Sequence, residues 1–391
     1  MFGWLAHCCT PGLRKAPAGV EGKRIVDRKA KPKGVRSLST HDLPDNSSGS
    51  SSRQEPLFRE HLKILSYNIF VRPEIPIATG TEYQDLRMDL FCENVLGNYD
   101  IVCLQEMFNL PLSSRRHGFV EQAKGMGFLW EHHGSRNHSL SPTIDGGLMI
   151  LSRLPIVRTD TLNFKSAAFA DWYAAKGVLY CLIQVGPKEH HYVHVFCTHL
   201  QATYDQKGLE VSARVRREQL KQTVDFIMKC VKNREEWPIA ICGDLNVQCR
   251  KSGQDGTDSD EYVAMLRILR DGFGMQGELL RDLAKEIDGA THPVTFADSH
   301  VDQFGNVYNR EVELTDAGPE WANQSLDKIF WIPATDGAAA IEPVITNINP
   351  MFVDKESWEI KKDHPLTHLS DHYAIETHLH VKLNNPNSNS Y

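Results

Sequence analysis

The chain has 391 residues, of which 41% are hydrophobic and 24% charged, with 27 Gly and 19 Pro. These values exclude collagen-like and fully disordered classes, and no apolar run reaches the roughly 18 residues that a membrane-spanning helix needs. The net charge of −7 is uneven: residues 1–56 hold 10 Lys/Arg against 5 Asp/Glu, which leaves −12 for the remainder and makes that body a poor general binder of phosphate backbones.

Residues 1–56 lack the periodicity needed to bury a core and read as a disordered basic tail. The tail opens MFGWLAHCC and only then becomes basic, the reverse of a secretory signal. Phe2 occupies the position where myristoylation requires Gly. Cys8 and Cys9 beside the polybasic stretch could carry acyl chains and make the tail a membrane anchor; an unmodified flexible tail explains the same residues.

From about residue 60, strand and helix candidates alternate. Strands are expected at 62–69, 100–105, 146–152, 177–185, 192–200, 238–246, 325–332 and 371–381, and helices at 82–97 and 209–232. In the second helix Leu220, Val224, Ile227 and Val231 fall on one face of a 3.6-residue repeat. This alternation indicates an α/β or α+β sandwich filling residues 57–381, followed by a flexible C-terminus over 382–391. The nine Cys are scattered and include no CxxC pair, which argues for free thiols in a reducing compartment. Cys103, Cys181, Cys197 and Cys242 sit in apolar runs as small hydrophobes. With neither a signal peptide nor a spanning segment, a cytoplasmic protein is expected.

Polar residues gather where the apolar runs end. Asn68, Glu106, His199, Asp244 and Asn246 close four of them, Asp327 lies within a fifth, and Asp371–His372 begin a sixth. Singly, each has an ordinary reading as a cap, a turn residue or a satisfied core histidine. Together, ends containing only carboxylates, amides and imidazoles point to one pocket at the rim of a sheet. Oxygen donors without Cys suit Mg²⁺ or Mn²⁺. Glu106 is the best candidate ligand, with Asn68 beside it. An Asp–His pair can serve as an oriented general base on water. No Ser or Cys stands in a nucleophile elbow, so metal-assisted phosphoester hydrolysis follows.

In order, SYN (66–68), LQE (104–106), THLQA (198–202), GDLN (243–246), SLD (325–327) and SDH (370–372) resemble the endonuclease/exonuclease/phosphatase superfamily over roughly residues 60–380. The resemblance implies a four-layer sandwich, two mixed β-sheets packed face to face with helices outside. Longer stretches, DGGLMILSRLPI (145–156), DWYAAKGVLY (171–180) and HVFCTHLQA (194–202), are similar to neutral sphingomyelinases. So are SARVRREQLKQTVDFI (212–227) and SDEY (259–262). As a bare spacing Asp171 and Lys176 would be an ordinary surface pair; the resemblance implies that they lie beside the active site and modulate its closure.

The same resemblance implies Glu106 as principal Mg²⁺ ligand, Asn68 near metal and phosphate, and Asp371 supporting the metal. It implies His372 as general base oriented by Asp327, His199 as a donor to a phosphoryl oxygen, and Asp244 and Asn246 positioning water, phosphate and leaving oxygen. The implied reaction is Mg²⁺-dependent hydrolysis of membrane sphingomyelin to ceramide and phosphocholine, with anionic phospholipid a possible activator. Lys328 departs from the family, which commonly has Tyr there; strand alternation should turn it away from Asp327. In 349–369, where bacterial relatives carry an apolar hairpin, charges interrupt Met351, Phe352, Trp358 and Ile360. A lipid contact or an ordinary polar loop both fit. Rival readings are a phospholipase C on other sphingophospholipids, a nuclease, an inositol phosphatase, and an inactive membrane-binding scaffold. The acidic body and the D-x₄-KG segment disfavour a nuclease.

Overall fold

A computed structural model of the chain describes residues 58–72, 83–109, 113–134, 144–188, 191–232, 237–251, 256–287, 289, 291–315, 317–334 and 341–383. Cys8 and Cys9, with the rest of the tail, lie outside the described residues. In chain order the first strands are β1 (His61–Val71), β2 (Ile101–Met107), β3 (Trp130–His133), β4 (Ile144–Asp145), β5 (Met149–Ser152) and β6 (Ile156–Asn163). Then come β7 (Ala174–Ala175), β8 (Gly177–Gln184), β9 (Tyr192–His199), β10 (Ile239–Asp244) and β11 (Arg281–Asp282). The last are β12 (Ser299–Val301), β13 (Val307–Asn309), β14 (Asp327–Ile332), β15 (Ile341–Asn349) and β16 (Ala374–Val381). Four helices, α1 (Gln84–Asn94), α2 (Arg115–Gly125), α3 (Leu209–Val231) and α4 (Asp260–Phe273), accompany them.

Two six-stranded mixed sheets form, ordered β15-β16-β1-β2-β5-β3 and β11-β14-β10-β9-β8-β6. Side-chain alternation divides each strand between two apolar layers. Leu62, Ile64, Ile101 and Cys103 of the first sheet meet Val195, Cys197, Cys242, Ile329 and Trp331 of the second in the inter-sheet core. Leu65, Tyr67 and Val102 turn the other way, onto Met88 and Phe91 of α1 and Phe119 of α2. Phe196, Ile241 and Phe330 likewise pack on Leu220, Val224, Ile227 and Val231 of α3 and on Met265 of α4. The result is the expected four-layer α/β sandwich, with helices outside both sheets.

The eight expected strands and both expected helices are present, most shortened by one to three residues at an end. Four strands of these two sheets, β3, β6, β11 and β15, were not anticipated, β11 having only two residues. β6 is an exposed edge strand and β15 an edge strand carrying Pro343, so neither shows a clean apolar alternation. β3 has only four residues. The SDEY stretch proves to be a helix start: Ser259 Oγ accepts from Tyr262 N at 3.0 Å, and Asp260 and Glu261 occupy the first turn of α4. All seven cysteines among the described residues are free and buried, matching the reading of scattered thiols.

Candidate active site

Strand register brings the polar residues together. β10 pairs in parallel with β9 and antiparallel with β14, so that Asp244 stands beside His199 on one side and Asp327 on the other. By alternation these three share the inter-sheet face with Cys197, Cys242 and Ile329. Two carboxylates directly opposite one another repel, an arrangement that packing alone would not select. Gly243, just before Asp244, leaves no room for a side chain: a Cβ there would lie 2.0 Å from the Thr198 carbonyl oxygen.

Across the sandwich, Asn68 ends the inter-sheet row of β1. Strict alternation would send Glu106 to the helix side with Val102 and Leu104. Its left-handed backbone (φ 60) breaks that alternation, and Asn68 Nδ2 donates to Glu106 Oε1 at 3.2 Å and to Asp244 Oδ2 at 3.1 Å. Phe70 (φ 55) and Asn246 (φ 51) are also left-handed at these strand ends. Such backbone costs about 1–3 kcal/mol per residue and clusters at functional sites.

His372 enters from the segment before β16. Its Nδ1 lies 2.9 Å from Asp327 Oδ2, and its Nε2 lies 3.9 Å from Asp244 Oδ2. Ser370 Oγ accepts from His372 N (3.2 Å) and donates to the Asn68 carbonyl (2.6 Å), tying this segment to β1. On the opposite flank, Lys176 Nζ donates to Asp171 Oδ2 (3.0 Å) and the Leu200 carbonyl (2.9 Å), and stands 3.1 Å from His199 Nε2. Tyr204 OH holds the other Asp171 oxygen at 2.6 Å. The Asp171–Lys176 pair is therefore buried against the site rather than on the surface. The Asn246 side chain donates at 3.3 Å to the Leu200 carbonyl that Lys176 Nζ also reaches, and its backbone N–H supports Asp244 Oδ1 at 2.9 Å.

Electrostatics follow from burial and crowding. Burial raises the Glu106 carboxyl above the ordinary range against the pull of Arg72, His372 and Lys176. Burial also raises Asp371, to about 7, with the Glu106 charge adding to it. Asp244 is raised by burial and by repulsion from Asp327. Burial opposes protonation of His372, but Asp327, Asp244 and Asp371 outweigh it and hold the imidazole well above its usual value. His199 goes the other way, lowered by burial and by Lys176, and is neutral.

Four buried carboxylates share this pocket, and Glu106 Oε2 has no hydrogen-bond partner among the described residues. That donor set fits a hard divalent cation. Among the described residues, ligand atoms of Asp244, Asp327 and His372 lie within 4.8 Å of one another. His372 Nδ1 and Asp327 Oδ2 already satisfy each other there, whereas Glu106 keeps an unused oxygen.

Sequence reasoning missed the supporting residues. Arg87 is fully buried and donates to the carbonyls of Ile69, Phe70 and Leu369, locking the ends of two site segments. The Phe296 ring lies 4.8 Å from that of His372, and Thr295 contacts the start of β14. A lone Arg on a helix and a Thr-Phe pair in a long loop give no readable signal. Lys328 turns away from Asp327 as alternation requires, and meets Asp282 Oδ2 (3.2 Å) and His292 Nδ1 (3.0 Å) in the opposite layer. In 349–369 Met351 is buried and Trp358 and Ile360 pack on the helix-side core, while Phe352 is exposed.

Residues 65–372 match the model of the endonuclease/exonuclease/phosphatase family, and the chain belongs to that family. It is a hydrolase whose relatives include sphingomyelinases. One from Dictyostelium discoideum is 28% identical over 366 residues, covering 77% of this chain and 75% of the relative. Sphingomyelinase C of Bacillus cereus is 32% identical over 251 residues, covering 61% of this chain and 72% of the relative. Sphingomyelinase C from Streptomyces griseocarneus shares the fold with a TM-score of 0.53 and 22% identity, over 81% of this chain and 99% of that one. A Staphylococcus aureus beta-toxin variant with bound magnesium ions does so with the same TM-score and identity, over 81% and 98%.

Proposed function

We propose that this chain is a Mg²⁺-dependent sphingomyelin phosphodiesterase releasing phosphocholine and leaving ceramide. The observation that carries the reading is a carboxylate-paired imidazole, His372–Asp327, facing a buried carboxylate cluster in which Glu106 keeps an unpartnered oxygen. The sphingomyelinase names of relatives at 28% and 32% identity select the substrate.

Glu106 and Asn68, with Asp371 in support, would hold Mg²⁺, and Mn²⁺ could replace it. Such a cation, when bound, polarises phosphoryl oxygens and stabilises the leaving alkoxide. The Asp327 carboxylate accepts the Nδ1 proton of His372 and leaves Nε2 as the basic nitrogen, able to take a proton from attacking water. A cation nearby also offsets the carboxylates that raise His372, returning it toward the neutral form a base requires. His199 Nε2 lies 3.1 Å from Lys176 Nζ and 3.4 Å from Asp244 Oδ2, so that His199 and Lys176 together would stabilise charge growing on a phosphoryl oxygen beside Asp244. Asp244, steadied by the Asn246 backbone, and Asn68 align water and phosphate for in-line attack. Asp171 and Lys176 would tune the site by setting how Lys176 divides itself between Asp171 and His199.

No helix among the described residues is long and apolar enough to cross a membrane. We infer peripheral contact through loops that carry the exposed Phe304 and Phe352, with anionic phospholipid as a candidate activator. The Cys8–Cys9 tail would add a cytoplasmic-face anchor. The test is phosphocholine release from mixed sphingomyelin–phosphatidylcholine vesicles, in Mg²⁺ or EDTA, beside His372→Ala and Glu106→Ala. Release that needs Mg²⁺ and both side chains is expected. Release that survives EDTA, or absence of release even with anionic lipid present, would overturn the proposal.

A further inference from the structure

His372 and Asp327 come from different sheets. Asp327 opens β14 in the second sheet, while His372 sits two residues before β16 in the first. Their 2.9 Å contact therefore depends on the spacing of two independently hydrogen-bonded sheets at the rim, where the inter-sheet apolar core has ended.

One residue is bonded to both sides. Thr295, fully buried, accepts through Oγ1 from the backbone N–H of Leu326 (3.0 Å) and of Asp327 (3.1 Å). Its carbonyl accepts from the N–H of Tyr373, next to His372, at 2.7 Å. Its own N–H donates to the Gln324 carbonyl at 2.8 Å. Phe296 follows, bridging in β fashion to Gln324 on one side and to His372 on the other, with its ring against the imidazole. Residues 295–296 thus form a two-sided strap, and the two bonds to the Thr295 hydroxyl are its only side-chain hydrogen bonds to the entry into β14 among the described residues.

We propose that Thr295 is a positioning residue, setting the Asp327–His372 distance by clamping the start of one sheet's strand to the histidine segment of the other. This rests on the reading of His372 as the base. A hydroxyl is required because only an oxygen can receive both N–H groups; Val has the same shape without the acceptor, and Ser keeps the acceptor without the methyl. Misplacement of reacting groups by about 1 Å costs roughly 10²-fold in rate, and a loss confined to geometry falls on kcat and not on KM.

The experiment is steady-state hydrolysis of sphingomyelin in detergent micelles with Mg²⁺, using the full chain, its Thr295→Val, Thr295→Ala and Thr295→Ser variants, and His372→Ala as control. Val and Ala should lower kcat by about ten- to a hundred-fold with KM within about twofold, and Ser should recover most of the rate. The low-field NMR signal of the His372 Nδ1 proton should weaken in Val and Ala and persist in Ser. Ala admits water to the two freed N–H groups and keeps the measurement possible if Val does not fold. Wild-type kcat in either truncated variant, a change in KM alone, or a Ser variant as slow as Val would overturn the clamp. Full activity in His372→Ala would instead refute the base assignment.

Discussion

Replacing Asp327 with asparagine removes one negative charge 2.9 Å from His372 Nδ1 and leaves the side-chain shape almost unchanged. The imidazole is held well above its usual range, against burial, by Asp327 first and then by Asp244 and Asp371. At an effective dielectric of about 20, a charge pair at this separation is worth up to about 6 kcal/mol, so losing it should lower the His372 pKa by more than one pH unit even after relaxation. The sign is definite: the neutral, basic form then persists to lower pH, and the acidic limb of the kcat profile moves down. The rate itself should fall by about 10²–10³-fold, because an amide can present either its NH₂ or its oxygen to Nδ1 and no longer stabilises the imidazolium. The assay is a kcat–pH profile in saturating Mg²⁺. A variant with near wild-type kcat, or an acidic limb that stays in place or moves upward, would refute the assignment.

Cation binding should be pH-dependent in a stated direction. Asp371, raised to about 7 by burial, and Glu106, also raised by burial, must lose protons to bind a cation; the Mg²⁺-induced rise in Tm should be larger at pH 8 than at pH 5.5, and equal rises would contradict the proposed ligands. In the cation-free protein the raised Asp371 carboxyl favours folding at low pH, and that contribution is lost as pH rises through about 7; the raised Glu106 carboxyl acts in the same direction. Lys328→Met leaves Asp282 buried with its cation gone and should destabilise the fold by about 3–5 kcal/mol in denaturant titrations. The kcat of the folded variant should stay within about threefold of wild type, since the side chain lies in the layer away from Asp327; a large loss of kcat would show that the layers communicate.

The strand runs were legible because they are buried on both faces and nearly continuous in apolar residues, as LKILSYNI and PIAICGDLN show. The edge strands β6 and β15 were not, since an edge exposed to solvent has no apolar requirement on its outer face. Helix α3 announced itself through Leu220, Val224, Ile227 and Val231. Helix α2 did not: its buried Arg116 pairs with the buried Asp145, a contact between residues 29 apart that periodicity cannot register.

The site divides the same way. Which chemical groups stand at the strand ends is a property of the chain, since a two-residue alternation carries His199 and Asp244 onto the same face as the apolar residues before them, and Asp327 onto that of Ile329 and Trp331 after it. That His199, Asp244 and Asp327 become lateral neighbours depends on the pairing of β9, β10 and β14, a register set by inter-sheet packing. Glu106 reaches the pocket only because its left-handed backbone overrides the alternation, which no pattern of apolar residues encodes. The bond of Ser370 to the Asn68 carbonyl, of Tyr373 N–H to the Thr295 carbonyl, and the approach of Lys176 to His199 join segments far apart in the chain. Local sequence determined the donors and their order, because side-chain chemistry and strand periodicity are local; distances and charge states were decided by the packing of one sheet on the other, because desolvation and Coulomb interactions depend on separation in space.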